Sequence, residues 1–224
     1  MESFVRRLKY YGIGFGIGLI FVFVFFQNRG CSWLPSNRVK NSFLDRLIVV
    51  PVGEMDVLKA KGLTEKDLVQ VLNDGEVNFT ESKKEGNPQV YSMEKDFKGK
   101  GKLKFYFSLP KESFISEIHF SEKSAKDVDN TTEGLGEIIH FPKDNDLVYV
   151  DSQSLLKKAE LKDTKQILRL IKLNGMIDFK ATNLKATPKA EHLIIFKDSK
   201  GRRIGARAVW YKNKIDISSF EFVN

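Results

Sequence analysis

The side chains of this 224-residue chain that suit acid–base, metal or nucleophilic chemistry are few: three histidines, one cysteine and a scatter of carboxylates. His119, His140 and His192 lie far apart, and no two have the spacing that brings two imidazoles onto one metal ion. They read as strand or loop residues. Cys31 is the only cysteine, so neither an intrachain disulfide nor a cysteine metal site is expected. Its flank, Asn28-Arg29-Gly30, lacks the small and apolar residues of a lipoprotein cleavage signal. Asp144-Asn145-Asp146 reads as a turn, because the remaining ligands of a calcium loop do not follow it. Walker, G-x-S-x-G and H-E-x-x-H patterns are missing from the sequence. The expectation is a protein without enzymatic activity, cofactor or metal. The best candidate contact surface is basic: Lys200, Arg202, Arg203 and Arg207, beside Trp210 and Tyr211. It would suit an anion or a protein partner, and a strand edge guarded by charge explains it equally well.

The net charge is +8, and the excess sits mainly in residues 1–43 and 144–224. That distribution suits anionic head groups. Nucleic acid is the less favoured partner, since the lysines alternate with acids as on a solvated face. With 42% hydrophobic and 29% charged residues the chain has ordinary globular composition.

Residues 10–26 carry no charge and include five phenylalanines. As a helix they would span roughly 25 Å, and Leu8 with a snorkelling Lys9 would extend them toward a ~30 Å hydrocarbon core. The sequence therefore predicts a single transmembrane helix over residues 8–26. Gln27-Asn28-Arg29 replaces a cleavage site, so the helix reads as an uncleaved anchor. Arg6, Arg7 and Lys9 at its start predict a cytoplasmic N-terminus and periplasmic C-terminal domains at a bacterial inner membrane. Gly12, Gly14, Gly16 and Gly18 form two overlapping G-x-x-x-G pairs, which would let two such helices pack as a homodimer.

The elements that must position any site come in duplicate. At a shift of one hundred, Thr64, Leu68, Gly75 and Phe79 coincide with Thr164, Leu168, Gly175 and Phe179. Val71 and Val77 answer Ile171 and Ile177. Upstream, Leu47-Ile48-Val49-Val50 parallels Leu147-Val148-Tyr149-Val150. Downstream, Lys95-Asp96 parallels Lys197-Asp198 after a two-residue insertion.

Each copy reads as an apolar strand, a helix capped by Thr64 or by Asp163 or Thr164, and a glycine ending that helix in a left-handed conformation. Alternating strands such as residues 102–107 follow, with turns at Lys98-Gly99-Lys100-Gly101 and Ser199-Lys200-Gly201-Arg202. The expected class is α+β: an N-terminal transmembrane helix followed by two tandem helix-on-antiparallel-sheet repeats. The expected boundaries are 1–28 for the tail and membrane helix, 29–43 juxtamembrane, 44–120 first repeat, 121–143 linker and 144–224 second repeat.

Leu58-Lys59-Ala60-Lys61-Gly62-Leu63-Thr64, leading into Asn73-Asp74-Gly75-Glu76-Val77, resembles a bacterial domain-of-unknown-function family, numbered 4258. That family is similar to the RelE and barnase-EndoU group of small ribonuclease toxins. The N-terminal part, with Gly30-Cys31-Ser32-Trp33-Leu34-Pro35, resembles single-pass envelope proteins of the Bacteroidetes. The resemblance implies a helix packed on a four-stranded sheet. The family's histidine and arginine columns fall at Gly53 and Val57 here, and at Gln153 and Lys157 in the second copy. A nuclease fold without its acid–base pair is implied. The function expected is that of a non-catalytic, membrane-anchored binding or structural protein of the bacterial envelope, with an unidentified protein partner. The alternative is an RNA-binding or degenerate ribonuclease-toxin-like domain pair.

Overall fold

A computed structural model describes residues 2–27, 34–142, 146–149, 154–158, 160–212 and 214–223. The chain divides into two units, residues 1–39 and 40–224. The first contains helix α1 (Glu2–Gln27) and the start of α2 (Pro35–Leu44). Among the described residues, no helix is long and apolar enough to cross a membrane. This corrects the expected single-pass anchor, and with it the inner-membrane address. Through Val22, the described side chains of α1 include Arg7, Lys9, two tyrosines and four glycines, which dilute its apolar content. The side chains of residues 23–26, which the expected span needs, lie outside the described residues, as does Cys31.

The second unit is built on one mixed sheet of 11 strands. Its first half runs β1 (Leu47–Pro51), α3 (Val52–Ala60), α4 (Glu65–Asp74), β2 (Glu76–Lys83), β3 (Gln89–Phe97), β4 (Gly101–Leu109) and β5 (Ile115–His119). Next comes β6 (Leu135–His140). The second half runs β7 (Asp146–Tyr149), α5 (Leu155–Lys158), α6 (Thr164–Asn174), β8 (Met176–Asn183), β9 (Glu191–Lys197), β10 (Arg203–Trp210) and β11 (Lys214–Phe222). Across the sheet the order is β2-β3-β4-β5-β1-β6-β8-β9-β10-β11-β7. Both halves thus place their strands in the same sequence, and each lays its first strand parallel to its last. The class is α+β, but the expected pair of antiparallel sheets is corrected to a single mixed one. The joining strand, β6, comes from the stretch that reads as a linker, and it pairs antiparallel with both β1 and β8.

Strand directions relate the halves. Because β6 opposes both neighbours, β8 runs with β1, whereas β2, counted through β3, β4 and β5, runs against it. The second half therefore keeps the strand order and reverses every strand. That is a half-turn about an axis across the sheet, and it carries the second set of helices to the opposite face. Side chains agree. Glu137 on β6 reaches Lys59 of α3 at 3.4 Å. A Cβ on the neighbouring Gly136 would overlap Val49 and come within 2.7 Å of Phe179. Successive strand residues face opposite ways, so Val50 lies under the first helices and Val49 joins the core of α6. Leu47, Ile48, Val49 and Val50 are all fully buried, as a strand covered on both faces requires.

The helices begin as the sequence predicts. Thr64 caps α4 in a reciprocal box with Asp67, and Asp163 Oδ1 accepts from Gln166 N at 2.8 Å to cap α6. Their ends differ from expectation. Gly75 and Gly175 are extended, with φ, ψ of −63°, 155° and −72°, 139°. Glycine is needed there for a close approach instead: a Cβ would overlap the carbonyl oxygen of Val71 or of Ile171.

Candidate ligand-binding cleft

The three histidines have three different settings. His140 on β6 places Nε2 3.2 Å from the Leu44 carbonyl oxygen. His192 on β9 is buried, with Nε2 2.8 Å from Ser113 Oγ and Nδ1 3.2 Å from Thr182 Oγ1. A serine against an imidazole suggests a nucleophile and its base, yet every atom here is already engaged. Ser113 Oγ accepts from Ile115 N, and Thr182 Oγ1 donates to the Asp178 carbonyl. This chain of bonds assigns the proton to Nδ1 of a neutral imidazole. Burial holds its pKa down at about 4. The relay is a satisfied part of the core.

His119 is the exception. It ends β5 and is only 6% exposed, and its Nε2 is buried with no hydrogen-bond partner. Glu117 Oε2 lies 3.3 Å from it, close enough for an ion pair but not aligned for a hydrogen bond. Glu117 is itself buried, and its Oε2 accepts from Thr131 N at 3.2 Å. Two-residue spacing on a strand puts both side chains on one face, the face turned away from α3 and α4.

Above this pair opens a cleft of about 400 Å³, lined by Pro51, Gly53, Glu54, His119, Glu122, Asp127, Asp129 and Thr131. It lies beyond the carboxyl ends of the parallel strands β1 and β5. One wall is the first turn of α3, where Glu54 Oε2 accepts from Phe120 N and Ser121 N at 2.9 Å and from Ser121 Oγ at 3.0 Å. The other wall is the segment after β5. Ala125 and Val128 pin it onto Val90 and Tyr106, and Tyr106 donates to the Lys123 carbonyl at 3.1 Å. Val128 therefore sits inward while Asp127 and Asp129 stand at the rim. Asp127 accepts from Ser124 Oγ, and Asp129 lies 3.4 Å from Lys83 Nζ. Four carboxylates thus line the cleft beside one histidine, with buried Glu117 behind it, a field that favours a cationic guest. Among the described residues, no group of histidine, cysteine or acid side chains is arranged to hold a metal ion.

The basic residues singled out in the sequence do not form one surface. Strand alternation turns Arg203 and Arg207 to one face of β10 and Trp210 to the other, where it is 1% exposed and packs on Phe141 at 5.2 Å. Lys200 Nζ lies 2.7 Å from Glu160, and Arg202 Nε lies 2.7 Å from the buried Asp198. Arg207 sits between Glu191 and Glu221 at 3.9 and 3.7 Å. Gly12, Gly14, Gly16 and Gly18 lie on α1 with open space where each Cβ would stand. Of the columns compared with the toxin-like family, Gly53 lines the cleft, Val57 is exposed on α3, and Gln153 lies outside the described residues. Asp144 and Asn145 also lie outside them.

Sequence reasoning missed Glu54 and Glu117, and it read His119 as a strand or loop residue, which it is at the end of β5, without seeing the cleft beside it. Only the Glu-x-His spacing on a strand pointed to Glu117 and His119, and it does not say which strand face is open; nothing in the sequence pointed to Glu54. In comparisons with known proteins, the chain matches no family model, no curated protein and no solved structure.

Proposed function

We propose that this is a non-catalytic binding protein whose first half takes a lysine or arginine side chain of a protein partner in the acidic cleft. The observation that carries the reading is the buried, unpartnered Nε2 of His119 beside buried Glu117, beneath a rim of Glu122, Asp127 and Asp129. Glu54 in the wall and Glu122, Asp127 and Asp129 around the mouth offer a cation several charged acceptors. A volume of about 400 Å³ admits one long side chain. The alternative, RNA contact through the basic second half, is weakened by the carboxylates beside Lys200, Arg202 and Arg207.

The test uses the whole chain and a short capped peptide carrying one arginine, followed by NMR at the His119 ring. The expected result is a saturable shift that weakens as salt rises. It should vanish in the triple variant Glu122→Gln, Asp127→Asn, Asp129→Asn, whose rim positions leave folding unchanged. An identical response to the neutral citrulline peptide would overturn the reading, as would full binding by the triple variant. Turnover of the peptide or of RNA would overturn its non-catalytic part.

A further inference from the structure

The half-turn relating the two halves matches their strands face by face. Under the first helices lie Ile48, paired with Ser116, and Val50. Under α6 lie Leu147, paired with Ile215, and Ile217. The true correspondence of the first strands is therefore a shift of ninety-nine: Val49 beside Glu117 answers Val148 beside Asp216. The cap residues Thr64 and Asp163 stand at the same shift.

Once the strands are matched this way, one half lacks something the other has. The outer edge of β1 is taken by β6, antiparallel, with Val49 opposite Ile138 and Val50 opposite Glu137. β6 and Phe179 then cover the far face of β1, so that Val49 is fully buried. β7 ends the sheet among the described residues, and Val148, in the place of Val49, is 49% exposed.

The opposite edge of the sheet is blunted. β2 carries Glu76, Glu81 and Lys83, breaks register between Asn78 and Lys83, and holds ion pairs from Glu76 to Lys102 and from Glu81 to Lys104. Charge and a bulge of this kind deter strand pairing. At the described side chains of β7 the edge offers Leu147 and Val148 instead.

We propose that the edge of β7 receives an antiparallel strand from a protein partner, in the position that β6 occupies on β1. The partner segment is extended and uncharged toward Val148, with an apolar side chain there and main-chain hydrogen bonds along the edge, as in strand addition generally. The internal junction is its template. The proposal is independent of the acidic cleft and stands or falls without it.

The probe is a synthetic peptide of residues 134–141 added to the full chain, with hydrogen exchange read by mass spectrometry. Saturable binding with slowed exchange at residues 146–149 is expected, together with at least a tenfold loss of affinity in Val148→Lys. A peptide N-methylated at residues 135 and 137, whose main chain turns to this edge because residues 134 and 138 bond toward β8, is expected not to bind, which tests the pairing without altering the protein. Protection at β1 and β5 would mean that the peptide displaces β6, and protection at β2 would mean that the wrong edge is sticky. Either result overturns the proposal, and so does no protection at all or equal binding of the N-methylated peptide.

Discussion

The two halves of the sheet share strand order, helix caps and an acid on the last strand, yet they spend that acid differently. Glu117 is buried against His119 under the 121–131 segment. Its counterpart, Asp216, is half-buried and lies 2.9 Å from Lys214 Nζ, two residues away on its own strand. The pair β1–β5 lies inside the sheet, with β6 and the second core closing over its far face. The pair β11–β7 lies at the end, where Val148 on the same face is exposed and Lys214 reaches Asp216 Oδ2, while Oδ1 stays buried with no hydrogen-bond partner. Position in the array, not the local fold, decides which copy holds a cleft. The opposite trade occurs on the helix-facing side of β3 and β9. The place of His192, aligned by the pairs Val77–Met93 and Ile177–Ile194, belongs in the first half to Tyr91. Tyr91 fills it with edge-on contacts to Phe43 and Phe79 at 6.0 and 6.5 Å, where the second half uses a polar relay.

The sharpest way to break the comparison is to place the same charge at the paired positions. Val49→Asp would bury an uncompensated carboxylate between two packed layers and is expected to cost about 4 kcal/mol. Val148→Asp, at a site 49% exposed, is expected to stay within about 0.5 kcal/mol of the parent. Urea unfolding of the two variants measures both. Equal losses would mean that Val49 and Val148 are not equivalent, or that β7 is covered as β1 is.

His192 gives the second half a pH dependence that Tyr91, in its place, does not give the first. Its folded pKa of about 4 lies below the unfolded value of 6.5. The neutral ring therefore contributes stability that is fully present above pH 6.5 and is lost as pH falls toward 4. A difference of this size corresponds to at most about 3 kcal/mol. The denaturant midpoint should fall more steeply between pH 6.5 and 4.5 in the parent than in His192→Tyr, which installs the residue of the other half. Parallel pH profiles would remove the histidine from the account.

How much of this could be read from the chain depends on the range of the interaction. Thr64, Asp163 and the run Leu47-Ile48-Val49-Val50 were legible, because capping and burial leave their mark within a few residues. The strand β6 was not. Its Leu-Gly-Glu-Ile-Ile-His pattern is irregular because the β1 register slips between Ile48 and Val49, and Gly136 is dictated by Val49 and Phe179, both distant in sequence. Aligning Leu47 with Leu147 misplaced the first strands by one residue, and in a strand a slip of one exchanges the faces. Hence Val148 read as the counterpart of Ile48, and the uncovered face stayed hidden. The cleft was invisible for the same reason: Glu117 and His119 alternate correctly for either side of β5, and only the segment pinned by Ala125 and Val128 shows which side holds the site. On α1, a count of uncharged residues suggested a membrane span that the described helix does not supply.

The smallest effect worth measuring asks whether the two caps are as alike as the topology. Thr64 is held twice, accepting from Asp67 N through Oγ1 while its own N–H donates to Asp67 Oδ2 at 2.8 Å. That bond, the largest influence on Asp67, holds its carboxyl below the ordinary value. Asp163 has a single arm to Gln166 N, although Gln166 Oε1 reaches back to Lys162 N at 2.7 Å. Thr64→Ala and Asp163→Ala are each expected to cost about 1 kcal/mol. Only the loss at Thr64 should shrink when Asp67 is already Asn, because a reciprocal box couples its two members. A double-mutant cycle on Thr64 and Asp67, set beside one on Asp163 and Gln166, reads this in the urea midpoint. Equal coupling in both would mean that the reach-back of Gln166 completes a box of its own, and the two helix starts would then be equivalent in energy as well as in place.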